Sequence, residues 1–181
     1  TRVVASYAGP GLRAEIVRGA ARVKRGMISG NDVQNAIDAA MRSLPTPQLS
    51  FLHVEPLSYT IDDGEPIADP HGHPGKMLTV EACVVLAPTD AINALKACIN
   101  QAGAEVEDII AAPKAAGLAV LTAEEMEEGA IIIDLGAGGT GISVFAQETL
   151  IHAETIAAGG VRLTRDLAAK LQTTLDRKSV V

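Results

Sequence analysis

Apolar and polar positions recur with two periods along this chain, and each change of period marks an element. Residues 1–8 and 14–18 have β-like apolar character on either side of Gly9-Pro10-Gly11, which predicts a hairpin or two edge strands. Val33, Ala36, Ile37, Ala40, Met41 and Leu44 then recur at helical spacing. Capping candidates from Ser29 to Asp32 precede them and Pro45 stops the run, so a helix with one buried face is expected. Residues 51–61 alternate in part and read as a strand. Residues 77–87 read as a second, strongly apolar strand beyond a loop rich in Pro, Gly and His.

Pro88-Thr89-Asp90 opens a second helix with Ile92, Leu95, Cys98 and Ile99 inside, closed by Gly103 where a left-handed C-cap is needed. Residues 106–111 form a short strand, and an alanine-rich helix over 113–121 carries Pro113 in its first turn. Thr122 and Glu125 have capping-box spacing for a further turn ending near Gly129. Residues 130–135, with three consecutive isoleucines, read as a buried strand. No long repeat or low-complexity stretch supplies a linker, so boundaries are placed by topology near Ala87 and Glu128. The fold class expected is α/β, mixed α+β in character.

Composition narrows the function. The 181 residues suffice for one sizeable core or two small ones and are too few for a complete two-lobed nucleotide machine. Phe51, Phe145, Tyr7 and Tyr59 are the only aromatics, so the core must be aliphatic. A net charge of −7, with no basic block beyond Arg22-Val23-Lys24-Arg25, argues against nucleic acid as a partner. Cys83 and Cys98 lie in apolar surroundings without metal-ligand spacing and are expected to be buried free thiols of a reducing compartment. No stretch approaches the roughly 20 apolar residues of a membrane span, and no leader pattern opens the chain, which makes the cytoplasm the expected location. The abrupt start in a strand at Thr1-Arg2-Val3-Val4 and the abrupt end at Val181 are read as truncations.

The segment that decides the chemistry is Gly136-Ala137-Gly138-Gly139-Thr140-Gly141, which fits G-x-G-x-x-G directly after a strand, with Glu154 near where a ribose-binding acid would lie. A dinucleotide fold needs a helix after those glycines, whose N-terminus faces the pyrophosphate. Ile142-Ser143-Val144-Phe145 instead reads as a strand, Gln147-Glu148-Thr149 turns the chain, and residues 150–156 alternate again. The loop therefore belongs to a hairpin, preceded by the acid Asp134. Backbone N–H groups of such a loop can approach phosphates while Asp134 orients hydrated Mg²⁺; a purely structural glycine hairpin is the competing reading. Gly159-Gly160 then precede a helix with Leu167, Ala168 and Leu171 on one face, which should pack beside the hairpin.

Other residues invite chemical readings that their surroundings do not favour. His71 and His73 flank Gly72 in a turn-rich loop with no cysteine at ligand spacing. Glu124, Glu125, Glu127 and Glu128 read as a solvated helix turn whose dipole favours acids. His152 is read as a sheet position rather than a substrate contact. Gly141-Ile142-Ser143-Val144-Phe145 lacks the closing glycine of a nucleophile elbow.

Strand, glycine turn, two strands, then Gly-Gly and a helix is similar to the phosphate-binding second half of actin-like and Hsp70-like ATPases, with their ribonuclease H-like fold. Within them the chain resembles the FtsA family of bacterial cell-division proteins, on five ordered motifs. These are Gly26-Met27-Ile28-Ser29-Gly30-Asn31-Asp32-Val33, His53-Val54-Glu55-Pro56-Leu57-Ser58-Tyr59-Thr60-Ile61-Asp62, and the loop Asp69-Pro70-His71-Gly72-His73-Pro74-Gly75-Lys76-Met77-Leu78. The last two are the glycine hairpin from Asp134 to Phe145 and Gly159-Gly160 with the helix after it.

The resemblance implies an inserted strand-helix-strand-strand subdomain over residues 1–87, a remnant of the first actin-like lobe over 88–127, and the opening of the second lobe over 128–181. It implies ATP and Mg in the full-length family, bound through Asp134, Gly136, Gly138, Gly139, Thr140, Gly159 and Gly160, with Asp134 holding Mg through water. It also implies a scaffold, with any hydrolysis slow and regulatory. Such a scaffold self-associates with FtsA-like protomers, links FtsZ filaments to the inner face of the cell membrane at the septum, and recruits late division proteins through residues 1–87.

The family's Gly-Gly-Gly-Thr-Thr-Asp is here altered. Gly139 lacks the hydroxyl and Gly141 the second carboxylate, so the isolated chain is not expected to bind ATP tightly or to turn it over. The competing classes are a sugar-kinase-like ATPase half or a dinucleotide oxidoreductase, and a chaperone-like or pilus-assembly relative expected to lack the strand-helix-strand-strand insertion.

Overall fold

The computed structural model describes residues 1–45 and 47–174. The chain runs β1 (Arg2–Tyr7), β2 (Arg13–Arg22), α1 (Gly30–Arg42), β3 (Leu49–Ile61), β4 (Met77–Pro88), α2 (Thr89–Gln101) and β5 (Glu105–Ala111). It continues through α3 (Ala112–Val120), α4 (Ala123–Glu128), β6 (Ala130–Leu135), β7 (Thr140–Ala146), β8 (Thr149–Ile156) and α5 (Gly160–Lys170). Six strands make one antiparallel sheet in the order β3-β4-β2-β8-β7-β6, while β1 and β5 form a separate parallel pair. Gly9-Pro10-Gly11 therefore closes no hairpin: the chain leaves β1 in one sheet and enters β2 in another. Gly11 sits at φ 81, and the Tyr7 hydroxyl donates to the Pro10 carbonyl at 3.1 Å. The partner of β1 lies about a hundred residues further on, so no local pattern could reveal it.

Two cores lie on opposite faces of the sheet. On one, α1 lays Val33, Ala36 and Ala40 against Val17, Tyr59, Leu78, Val80, Val84 and Leu86. On the other, Tyr7, Ile92, Ile109 and Phe145 meet Val85, Ala87, Leu150 and Ala153. Strand β4 serves both, which is why it alternates over residues 77–81, where one core is met, and is continuously apolar over residues 82–88, where both are. Helix α1 approaches closely because β2 carries Gly19 beneath it. A β-carbon there would lie 2.1 Å from the Ala40 nitrogen and 2.4 Å from the Ala36 oxygen.

The predicted caps form. The Asp32 carboxylate accepts from the Ser29 N–H at 3.0 Å and from its hydroxyl at 2.6 Å. The Ser29 hydroxyl, then its N–H, holds the Asp32 carboxyl below the usual carboxylate range. Glu125 accepts from the Thr122 N–H at 2.9 Å, and Gly103 takes φ 82 just past α2.

Two expectations are corrected. Strand β6 is the edge of the sheet and not a buried strand, with Ile131 and Ile133 each 66% exposed. An unbroken apolar run shows that a strand can be buried, not that neighbours cover both of its faces. Cys98 is exposed on α2, because that helix buries only Ile92 fully and its last turns reach solvent. Cys83 is buried on β4, and burial, reinforced by Glu55, pushes its thiol up to about 11.

Gly19→Ala should lower the unfolding free energy by about 1–3 kcal/mol in urea, the usual cost of overpacking a close contact; an unchanged midpoint would mean that α1 sits further from β2. The Asp32 contribution should be present above its unfolded pKa and be lost as pH falls through its depressed folded one. Melting temperatures of wild type and Asp32→Asn should thus differ at neutral pH and converge at the acid end. A gap that stays constant with pH would count against the ionised cap.

Candidate functional site

The glycine loop is the turn between β6 and β7, which pair from Leu135–Thr140 outward to Ala130–Phe145. The chain leaves it as strand β7, as expected, so no helix follows the glycines and the dinucleotide arrangement is absent. The Gly136 N–H donates to the Gly139 carbonyl at 3.0 Å and closes the turn. The N–H groups of Ala137, Gly138 and Gly139 donate to no backbone carbonyl among the described residues, and a β-carbon on Gly138 would meet nothing within 4 Å. These free donors can meet phosphate oxygens.

An open cleft of about 470 Å³ lies in front of the loop, lined by Asp134, Gly136, Gly138 and Gly139 together with Pro10, Pro113, Gly141 and Thr155. Asp134 is exposed and faces Gly141 across the hairpin. A β-carbon on Gly141 would sit 3.1 Å from Pro113 Cγ, so the carboxylate missing at this position would need Pro113 to give way. Thr155 is buried, and its hydroxyl is the one buried side-chain oxygen without a partner among the described residues. Free amides and an exposed carboxylate at one cleft fit a phosphate group and a hydrated divalent cation, while the Thr155 hydroxyl is closed off from the cleft.

The remaining expected site residues stand behind the loop. Gly160 and Val161 N–H donate to the carbonyls of Gly136 and Ala137 at 3.0 and 2.9 Å, so the α5 N-terminus is spent on the loop itself. A β-carbon on Gly159 would come within 2.5 Å of the Gly136 oxygen, and the Thr140 hydroxyl donates to the Ala158 carbonyl at 2.6 Å. Thr140 and Gly159 line a shallower recess with Leu135 and Leu163. Helix α5 rests on the loop by its first turn, and Leu167 and Leu171 on its apolar face are exposed.

Pro10, Ala112, Pro113 and Thr155 were not singled out as site residues from sequence. They come from the β1–β2 connection, the start of α3 and β8, and tertiary pairing of β1 with β5 and of β8 with β7 brings them to one cleft. Helix α3 is fixed over β7 from two sides. The buried Ser143 hydroxyl donates to the Pro113 carbonyl at 2.9 Å, and the Phe145 ring fills the space left by Gly117. His152 lies on the face of β8 turned away from α3, with Nε2 3.6 Å from Glu154 Oε2. His71 Nδ1 is 2.8 Å from Asp69 Oδ1 within the β3–β4 connection, and the four glutamates of α4 are exposed.

Residues 9–86 match the family model described as the SHS2 domain inserted in FtsA. Curated relatives named cell division protein FtsA include that of Agrobacterium fabrum, 37% identical over 149 residues, or 82% of this chain and 34% of the relative. That of Neisseria meningitidis is 31% identical over 176 residues, covering 97% and 42%. That of Bacillus subtilis is 33% identical over 150 residues, covering 82% and 34%. The chain thus spans 34% to 42% of the length of these relatives. Among solved structures, a chain of the PilM-PilN type IV pilus biogenesis complex superposes with a TM-score of 0.62 at 17% identity, covering 96% of this chain and 48% of that one.

The glycine hairpin and the sheet around it define part of an actin-like fold, carrying an inserted SHS2 domain. The chain belongs to the FtsA family of cell-division proteins. A pilus-assembly relative was expected to lack the insertion. The 96% coverage leaves no room for that, so the insertion does not separate the two groups and sequence similarity does.

Phe145 is the largest fully buried side chain and locates α3 over the cleft. Phe145→Ala should cost about 3–5 kcal/mol, enough to leave much of the chain unfolded; circular dichroism showing a full native signal with an unchanged midpoint would contradict this packing.

Proposed function

We propose that this chain serves an FtsA-type cell-division scaffold through protein contacts of its SHS2 module, and that its glycine cleft forms one wall of a Mg-ATP site. The observation that carries the reading is the coincidence of sequence match and physical unit. Residues 9–86 match the inserted domain, and the α1 core draws all its buried residues from within that stretch. A segment with its own core can present a rigid surface to a partner. The partners proposed for the region of residues 1–87 are other protomers and late division proteins. In the whole protein, linkage of FtsZ filaments to the inner face of the membrane at the septum completes the role. No helix among the described residues is long and apolar enough to cross a membrane.

In the cleft, Asp134 would hold Mg through water, and the free amides around Gly138 and Gly139 would take phosphate oxygens. Thr140, Gly159 and Gly160 would support the loop from behind. Bound Mg-ATP would supply a nucleotide-dependent switch. With Gly139 and Gly141 lacking the family's hydroxyl and carboxylate, this wall contributes few side-chain contacts, and affinity in the isolated chain is proposed to be weak.

The test is a two-dimensional NMR titration with a peptide from the cytoplasmic segment of a late division protein, and separately with Mg-ATP. Peptide-induced shifts should cluster within residues 9–86, and their absence there at saturating peptide would sink the scaffold reading. Calorimetry should find Mg-ATP affinity weaker than micromolar. Sub-micromolar binding would show that this wall alone makes a working nucleotide site.

A further inference from the structure

We infer that His53, with the Glu55–Lys114 ion pair beside it, is a proton-sensitive latch through which strand β3 of the SHS2 module holds the Ala112–Pro113 wall of the glycine cleft in place. Its consequence for ligand binding rests on the phosphate-site reading above; the latch itself does not.

The latch is a chain of contacts across three elements. His53 Nε2 accepts from the Ala111 N–H at 2.9 Å. Ala111 is fully buried, so no water can replace that acceptor. One turn later Lys114 donates to Glu55, two residues along β3 on the same face, with both side chains largely buried. Between these anchors lie Ala112 and Pro113, which line the cleft. The Pro113 carbonyl accepts from Ser143 of β7, and the Pro113 ring faces Gly141. A shift of β3 is therefore passed to the strand that leaves the glycine loop, with no flexible connection between.

Only a neutral imidazole can serve. Accepting at Nε2 requires the proton on Nδ1, and a second proton would turn Nε2 into a donor facing the Ala111 N–H. Burial first, then Lys114 on α3, lower the His53 pKa from its usual 6.5, against the opposing pull of Glu55 on β3 and Asp108 on β5. Cys83 of β4 lies opposite Glu55 and is neutral in this range. Because the folded pKa is depressed, the contact persists below the usual histidine value and is lost as pH falls through the folded one, while the stability it contributes is fully present only above the usual value.

The experiment follows backbone amides of the full chain by NMR from pH 8 down to pH 5, without nucleotide, in wild type and His53→Gln, whose amide oxygen can accept in place of Nε2 but does not titrate. The Ala111, Gly141 and Ser143 amides should move in one step that coincides with the His53 imidazole, and that step should vanish in His53→Gln. This separates His53 from His71, His73 and His152. No step at Gly141 and Ser143 in wild type, or the same step in the variant, overturns the latch. Should His53→Gln fail to fold, Ser143→Ala provides the second variant: Ala111 should keep its step and the residue-143 amide lose it, and retention at residue 143 is the overturning result. A parallel Mg-ATP titration at both ends of the range tests the consequence. No binding at either end counts against the phosphate-site reading and leaves the latch to the ligand-free shifts.

Discussion

The arrangement depends on one steric fit, the ring of Phe145 lodged where Gly117 has no side chain. A β-carbon at 117 would lie 2.2 Å from Phe145 Cε2, so α3 can approach β7 only because that position is glycine. In a chain with two phenylalanines and no tryptophan, this ring is the largest apolar group available to the second core. Its placement brings Pro113 over Gly141, aligns the Pro113 carbonyl with the Ser143 hydroxyl and gives the cleft its second side. The glycine loop alone is a tight turn; with α3 seated above, it becomes a concave site.

Much of this was legible in sequence where the physics is local. Helical spacing from Val33 to Met41, a cap within residues 29–32, the Thr122–Glu125 cap and the left-handed Gly103 appear as read, while Leu44 lies just past the end of α1 at Arg42. The strand character of Ile142 to Phe145 was decisive, since it separated a hairpin loop from a dinucleotide motif with the same letters. What was not legible depends on distant neighbours. The partner of β1, the exposure of β6 and Cys98, and the cleft residues Pro10, Pro113 and Thr155 are set by tertiary pairing, which leaves no periodic trace.

Glycines in the candidate site perform two distinct tasks. Gly138 is open and exposes backbone, as a phosphate loop requires, whereas Gly159 is tight and lets two backbones touch. Sequence reading grouped them because both are glycines near a turn. The structure separates a front surface that can meet a ligand from a back support, and the α5 N-terminus belongs to the support.

The separation of β1 from β5 has a consequence for how the chain reaches its fold. Parallel pairing of Arg2 with Glu105 closes a loop of about a hundred residues, an entropic cost that slows folding when the intervening chain is disordered. Here the intervening stretch contains the SHS2 module, whose core needs nothing from either end. Once that module has collapsed, the ends of β1 and α2 are carried by one compact body and the effective loop becomes short. An insertion with a core of its own thus shortens the loop that the parallel pair has to close, which lowers the entropic cost of joining β1 to β5.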